Sequence, residues 1–419
     1  MTESLAILFA CGALLAVAGA FFGLLVLLGS RNILLLDEAL AAEGLSTAPA
    51  GLRLPSLAVV VTARDEAAGI ETTVRRLLAQ RYPALEVIVV DDRSTDGTGD
   101  ILDRLAAETP RLVVVHNRSL PQGWLGKCNA CRLGAGRAGG EWILFTDGDV
   151  ALATDDLLAR VVALAERRRL DHVAVLPDLR PMSPLQGGLV AAFGQMFVLA
   201  ARAFEMPRDL SRGGAGVGAF NLMKRSAYER VGGHDLVRLD MGDDFKLGRL
   251  LKESGARQRL FFGVSLVRCS WHEGTLRVIR GLEKNFFAGL DYSVAQLVAF
   301  SAVLLLISFG PAAAAILATL LAPRGTPALV LAAGWLPFAL QFGFLLYGYL
   351  TQGRRYGVPP LRTALLHPLS VLLLLAAAWN SAIRTLLRGG VTWRETFYPL
   401  AALRQGLLRP GVGRRLGCA

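Results

Sequence analysis

The stretch Glu141-Trp142-Ile143-Leu144-Phe145-Thr146-Asp147-Gly148-Asp149-Val150 decides how the chain is read. Trp142 to Phe145 is a short apolar run of the kind that forms a fully buried strand, and it stops at Thr146. Two carboxylates follow, one glycine apart. In an open α/β sheet, ligands sit just beyond the carboxyl ends of the strands, where this pair would project. Carboxylates that close repel unless a cation lies between them, and a hard divalent ion held to a substrate phosphate meets that need. Gly148 leaves room for such a substrate. Asp and Gly are also ordinary turn residues, so the motif acquires meaning only from its neighbours.

Those neighbours alternate. Leu57 to Thr62, Leu85 to Val90 and Leu112 to Val115 read as strands, and Val173 to Leu176 closes the series. Helices are expected over Glu66 to Gln80, Gly97 to Glu108 and Lys127 to Ala138. Repeated β and α units of this length imply a parallel sheet with helices on both faces. Strand one ends in Thr62-Ala63-Arg64-Asp65-Glu66 and strand two in Asp91-Asp92-Arg93-Ser94-Thr95-Asp96-Gly97-Thr98. A carboxylate at the second end suits a base N–H or a ribose hydroxyl, Arg64 suits a phosphate or a neighbouring acid, and Asp96 suits a helix cap.

Composition adds the setting. Of 419 residues, 53% are hydrophobic, and the mean hydropathy of +0.44 is too apolar for an ordinary soluble enzyme. The excess is concentrated: residues 4–30 carry no charge, and Leu5 to Leu28 is long enough to span a bilayer as an uncleaved anchor. Further spans are expected at Val294 to Leu321, kinked at Gly310-Pro311, at Ala328 to Leu350 and at Ala364 to Ile383. Residues 37–55, with Gly44, Pro49, Gly51 and Pro55, read as a linker. Glu3 before the anchor and Arg31 after it favour a cytoplasmic domain, as do Arg354, Arg355 and Arg362 in the 351–363 loop. Three spans then place the arginine-rich tail (Arg384, Arg388, Arg394, Arg404, Arg409, Arg414, Arg415) on the far side, against the same rule. Pro184 to Phe204 is apolar, but a crossing there would separate Asp149 from the acids after it. An interfacial segment guiding a lipid and a buried core helix are the two readings left. Five scattered cysteines exclude a disulfide framework, and Cys128-x-x-Cys131 has no second pair to complete a zinc site, so it reads as helix packing. The net charge of +11 suits an anionic lipid surface, and no nucleic-acid motif accompanies it.

Taken together, Val59 to Glu66, Val87 to Thr98 and Thr146 to Asp149 resemble, in order and spacing, the family-2 glycosyltransferases. The resemblance implies an α/β GT-A (Rossmann-like nucleotide-sugar-binding) fold, a nucleotide-diphosphate sugar donor and inversion at the anomeric carbon. It places donor contacts at Ala63, Arg64 and Glu66, at Asp91 or Asp92 for the base or ribose, and at Asp147. Asp149, with Asp147, would hold a divalent metal, Mg or Mn. Lys127, within Pro121-Gln122-Gly123-Trp124-Leu125-Gly126-Lys127, matches the lysine that neutralises the donor diphosphate. Gly218 to Arg225 and Gly232-Gly233-His234-Asp235 look like the acceptor half, with His234 structural.

The acidic pair opening the helix at Gly242-Asp243-Asp244-Phe245-Lys246 matches the family's catalytic pair, and its second member, Asp244, matches the base. Both acids also complement the positive end of a helix. After Trp271-His272, Arg277 and Arg280 share a helix face and could clamp a diphosphate or touch lipid headgroups. Gly281 stands where many membrane-embedded relatives carry a tryptophan, which weakens a polysaccharide synthase. The layout is similar to the hopene-associated and ceramide-glucosyltransferase-like members.

The expected organisation is an anchor over 1–31, a linker over 32–55, a cytoplasmic GT-A domain over 56–293, transmembrane helices over 294–383 and a basic tail over 384–419. The expected enzyme sits in the bacterial inner membrane, multi-pass, and moves a sugar from a UDP-sugar, ahead of a GDP-sugar, to a lipid hydroxyl. A processive polysaccharide synthase and a catalytically dead scaffold are the alternatives.

Overall fold

A computed structural model describes residues 3–48, 51, 53–208, 211–269, 274–408 and 411–417. Pro49, Trp271, His272, Arg409 and Cys418 lie outside the described residues, and so does the side chain of Arg414. The chain divides into two units, one built from residues 1–30, 180–200 and 272–387, the other from 31–179, 201–271 and 388–419.

The uncharged start forms α1 (Glu3–Asn32). After it, β1 (Leu34–Leu35) and α2 (Leu36–Ala42) occupy the beginning of the stretch that reads as a linker. Leu36 and Leu40 are fully buried there, which is why this segment is helix and not free chain. The alternation then runs β2 (Leu57–Ala63), α3 (Ile70–Leu78), β3 (Leu85–Asp92), α4 (Thr98–Glu108), β4 (Leu112–Asn117), α5 (Gly126–Arg137) and β5 (Trp142–Asp147). It continues through β6 (Val150–Leu152), α6 (Leu157–Arg167) and β7 (His172–Asp178) to α7 (Pro184–Ala200), β8 (Asn221–Lys224), α8 (Arg225–Arg230), α9 (Asp243–Glu253) and β9 (Gln258–Cys269).

Among the described residues the large sheet has the order β1-β9-β7-β8-β5-β2-β3-β4, with β6 pairing β9. β5, β2, β3 and β4 are parallel, as the alternation implies. The series does not end at Leu176, however. β8 inserts antiparallel between β5 and β7, so the sheet is mixed. Both sheet faces are covered, and strand parity sorts the residues between them. Val59, Val61, Val87 and Val89 pack with residues of α3, α4 and α6. Val60, Ile88 and Val90 pack with residues of α5, α8 and α9. Helix α5 seats closely because Gly134 faces Val60 and Val90, where a Cβ would collide. Cys128 and Cys131 are buried free thiols on that helix.

A buried polar network ties the sheet to α9. His172 Nε2 lies 2.6 Å from Asn221 Oδ1, and Gln258 Nε2 lies 2.5 Å from His172 Nδ1 and 2.7 Å from the Gly248 carbonyl. Gln258 Oε1 accepts from the Ala215 N–H at 3.1 Å. Burial pushes His172 down to about 4, so the ring is neutral. One tautomer, protonated on Nε2, satisfies every contact.

The other unit holds α1, α7, α10 (Thr275–Gly281), α11 (Phe286–Gly289), α12 (Val294–Leu320), α13 (Ala328–Tyr356) and α14 (Pro360–Arg388). Four of these, α1, α12, α13 and α14, are long and apolar enough to cross a membrane. Small residues let them approach closely: Gly12 faces Ala314, Gly19 faces Gln341 and Gly23 faces Phe344. Helix α12 continues through Pro311. The loop expected over 351–363 shrinks to residues 357–359, leaving Arg354 and Arg355 in the last turn of α13, where they complement its negative end. Helix α7 buries Gln186 to Ala192, with Gly188 against Ser370 and Ala191 clustered with Tyr349 and Ala364. That packing is of a core helix among helices.

The tail folds as well. β10 (Gly390–Trp393) and β11 (Thr396–Pro399) form an antiparallel hairpin, followed by α15 (Leu400–Gln405) and α16 (Val412–Gly417), all in the unit that contains the large sheet.

Candidate active site

The carboxyl ends of β2, β3 and β5 converge at one edge of the sheet, and each delivers its charged residues there. Asp147 ends β5, and Lys127 stands in the first turn of α5. The lysine ammonium lies 2.7 Å from Asp147 Oδ1. Burial opposes its charge, yet Asp147, Asp243 and Asp244 outweigh that and hold Lys127 well above the ordinary lysine value. The pocket around this pair is lined by Thr62, Thr146, Gly218, Asn221, His234, Asp243 and Asp244, with Val60, Cys131 and Phe145 at its apolar side.

Gly218 marks its centre. A Cβ at that position would lie 2.8 Å from Asp244 Oδ2, 2.9 Å from Asp147 Oδ2 and 3.1 Å from Lys127 Nζ. Three charged groups from β5, α5 and α9 therefore converge on one point. The Thr146 hydroxyl fixes the loop beneath them by donating to the Ala219 carbonyl at 2.7 Å.

The two acids of α9 differ in environment. Asp243 is buried and faces His234 Nε2 at 3.8 Å. His234 donates its backbone N–H to the Tyr228 hydroxyl and lies 2.9 Å from that oxygen through Nδ1. Burial, with the charge of Lys127, pushes the imidazole down to about 3. Neutral His234 lies beside Asp243, an arrangement in keeping with a structural histidine. Asp244 is half-buried, takes the Phe245 N–H on Oδ1 at 2.7 Å and turns Oδ2 to the pocket.

Strand parity separates the other acidic pair. Asp92 follows Ile88 and Val90 onto the α5 face, the same face as the pocket. Arg93 donates to it through Nε and Nη2 at 3.0 and 2.9 Å, and Asn117 donates at 2.6 Å. A Cβ at Gly126, beside Lys127, would sit 2.7 Å from Asp92 Oδ2. Asp91 points to the opposite face, where Ser94 N–H and His116 Nδ1 meet it at 3.2 and 3.0 Å. Asp96 is not the helix cap: Gly97, with φ 89°, holds that position. Asp96 instead accepts from the Ala67 and Thr98 amides, joining the loops after β2 and β3.

Asp149 is exposed on the turn between β5 and β6, with the Cys269 thiol donating to it at 3.3 Å. Its accessible carboxylate oxygens and those of Asp147 are hard donors that fit a divalent cation such as Mg or Mn. Cys131, His234 and Asp243 also form a compact trio with ligand atoms within 4.8 Å. Burial drives the Cys131 thiol well up, so that trio is a poor match for a hard cation. Ala63 is buried in the core at the end of β2. Arg64 and Glu66, on the loop beyond it, pair with Glu395 and Arg394 at 3.2 and 2.9 Å. Arg277 and Arg280 are exposed on α10, in the helical unit. The partners from the tail were not legible as site residues in a segment read for its arginines. Their signal was two short β-rich runs, Val391-Thr392-Trp393 and Phe397-Tyr398, flanking two charged residues.

A sheet of this order, with Asp-Gly-Asp at the end of a central strand, is that of a mixed α/β, Rossmann-like domain. Residues 58–232 match the family model described as Glycosyl transferase family 2. The chain is 24% identical over 235 residues to a 4,4'-diaponeurosporenoate glycosyltransferase of Staphylococcus haemolyticus, covering 56% of this chain and 62% of the relative. It is 28% identical over 250 residues to a beta-monoglucosyldiacylglycerol synthase of Nostoc sp., covering 57% and 51%. A third relative is the succinoglycan biosynthesis protein ExoA of Rhizobium meliloti, 28% identical over 200 residues, covering 48% and 58%. The chain thus spans between about half and 62% of the length of these relatives.

Proposed function

We propose that the protein is an inverting glycosyltransferase that moves a sugar from a nucleoside-diphosphate donor to a hydroxyl of a membrane lipid. The observation that carries the reading is the convergence of Lys127, Asp147 and Asp244 on Gly218. Lys127 is placed to bind the negative diphosphate, giving up part of its pairing with Asp147. Asp92, on the pocket face, is the better placed of its pair to read the base, preferentially uracil. Asp244 takes the proton of the acceptor hydroxyl as its oxygen attacks the anomeric carbon. The bond from that carbon to the diphosphate oxygen breaks on the opposite side, and its electron pair leaves with the nucleotide. A divalent cation at Asp149 and Asp147, when bound, would draw charge from that leaving group.

Two relatives are named for transfer to a carotenoid acid and to diacylglycerol, and the four long apolar helices supply a setting for such acceptors. Radiolabel transfer from a panel of UDP- and GDP-sugars into solvent-extractable lipid of enzyme-containing membranes tests the proposal. Labelled lipid that requires a divalent cation is the expected outcome. Label in insoluble polymer would establish a polysaccharide synthase, and nucleotide binding without transfer on any acceptor would leave a scaffold.

The location proposed is a plasma membrane with the catalytic unit on the cytoplasmic face, and the fold of the tail bears on how the chain crosses. Residues 201–271 and 388–419 belong to the same unit, so an even number of crossings is expected between 271 and 388. Helices α12 and α13 are joined by residues 321–327 and contact side by side through Trp335 and Thr319, as a hairpin would. Helix α14 is then the one that does not cross, which removes the conflict over its arginine-rich sequel. Cysteines introduced at Arg354 and Thr392 are expected to react with an impermeant maleimide from the same side, and one at Arg324 from the other. Opposite sidedness of 354 and 392 would make α14 a true span.

A further inference from the structure

The hairpin of β10 and β11 is built against the donor end of the pocket. Its two-residue turn is Arg394-Glu395, with Arg394 at φ 54°. That left-handed backbone is uncommon for arginine and aims both turn side chains at the sheet edge. Arg394 pairs with Glu66 at 2.9 Å, and Glu395 pairs with Arg64 at 3.2 Å. The turn thus matches, charge for charge, the loop at the end of β2.

The second contact lies deeper. Tyr398 of β11 is buried, and its hydroxyl accepts the Gly126 N–H at 3.2 Å. Gly126 is the first residue of α5, next to Lys127, and it has Asp92 and Arg93 at its other side. Beyond the hairpin, Gly406 packs on Leu239, and Gly413 packs on Glu253 of α9, the helix that begins with Asp243 and Asp244. One segment near the C-terminus therefore touches the loop after β2, the start of α5 and the helix of the acidic pair. Glu395 is exposed, although the Arg64 side chain is mostly buried, and a pair with one partner in water adds little to stability. Burial of Tyr398 serves the fold, but fold stability gives little reason for two reciprocal charge pairs at one end of the pocket.

We propose that the Gly390–Pro399 hairpin is part of the nucleoside-diphosphate site, with Tyr398 a positioning residue for Gly126 and Lys127 and the Arg394-Glu395 turn holding Arg64 and Glu66 in place for the donor. This rests on the donor reading of the pocket. Tyr398→Phe removes only the accepting hydroxyl, and Glu395→Arg sets like charges against each other at Arg64. Full-length protein in nanodiscs would be titrated with UDP and GDP in the presence of Mn2+, and donor KM, acceptor KM, kcat and Tm would be measured alongside. Both variants are expected to weaken nucleotide binding and raise donor KM about tenfold, with acceptor KM unchanged and Tm close to wild type. Unchanged nucleotide affinity and donor KM in both variants, whether or not Tm falls, would overturn the inference and leave the hairpin a fold element. Wild type that binds neither nucleotide would overturn the donor reading itself.

Discussion

Asp244→Asn is expected to lower kcat by about 100- to 10,000-fold while leaving nucleotide affinity within about twofold of wild type. The substitution keeps the size of the side chain and the Oδ1 contact to the Phe245 N–H, so the start of α9 is retained. It removes the carboxylate whose Oδ2 lies beside Gly218, and an amide cannot take the acceptor proton. Asp243→Asn is expected to act differently. That carboxylate also lines the pocket but is buried against His234, so its loss acts on the seating of α9 and lowers Tm as well as kcat. The separation of the two phenotypes checks the assignment. Transfer assays and nucleotide titrations on the same preparations supply it, and an Asp244→Asn enzyme with wild-type kcat would remove Asp244 as the base.

That distinction shows where sequence suffices and where it does not. The alternation from Leu57 to Asp147 and the ends of its strands were legible because period two and period 3.6 are local properties. The antiparallel seat of β8 between β5 and β7 depends on pairing between segments some 50 to 80 residues apart, as Phe145↔Asn221 and His172↔Met223 show. β1 is two residues long, too short for any pattern. Asp91 and Asp92 could be told to face opposite ways from strand geometry alone, but the face that carries α5 is a tertiary fact. The converse holds for the tail, where a hairpin pattern was present at 391–398 and its arginines drew the reading towards membrane charge. Their partners, Glu66 above all, lie more than 300 residues away.

Gly218→Ala is expected to reduce transfer at least about 100-fold with the fold intact, because a displacement of about 1 Å at a reacting centre has that effect. Gly218 is absent from the positive-φ glycines, so alanine meets no backbone strain there. What it meets is chemistry. The added methyl would stand 2.8 to 3.1 Å from Asp244 Oδ2, Asp147 Oδ2 and Lys127 Nζ, inside ordinary contact distance of all three. Lys127 and Asp147 are locked to each other, so neither moves aside without breaking a 2.7 Å pair within a half-buried pocket. Relief by shifting the glycine loop is opposed by the Thr146 bond to Ala219 on its far side. The methyl therefore displaces the very groups that would receive the donor phosphate and the acceptor proton, and nucleotide affinity falls together with kcat. Gly136→Ala, on an open part of α5 where a Cβ meets nothing within 4 Å, is the matched control and is expected to keep wild-type transfer. Wild-type kcat and nucleotide affinity in Gly218→Ala would mean that the three charges meet somewhere other than the reacting centre.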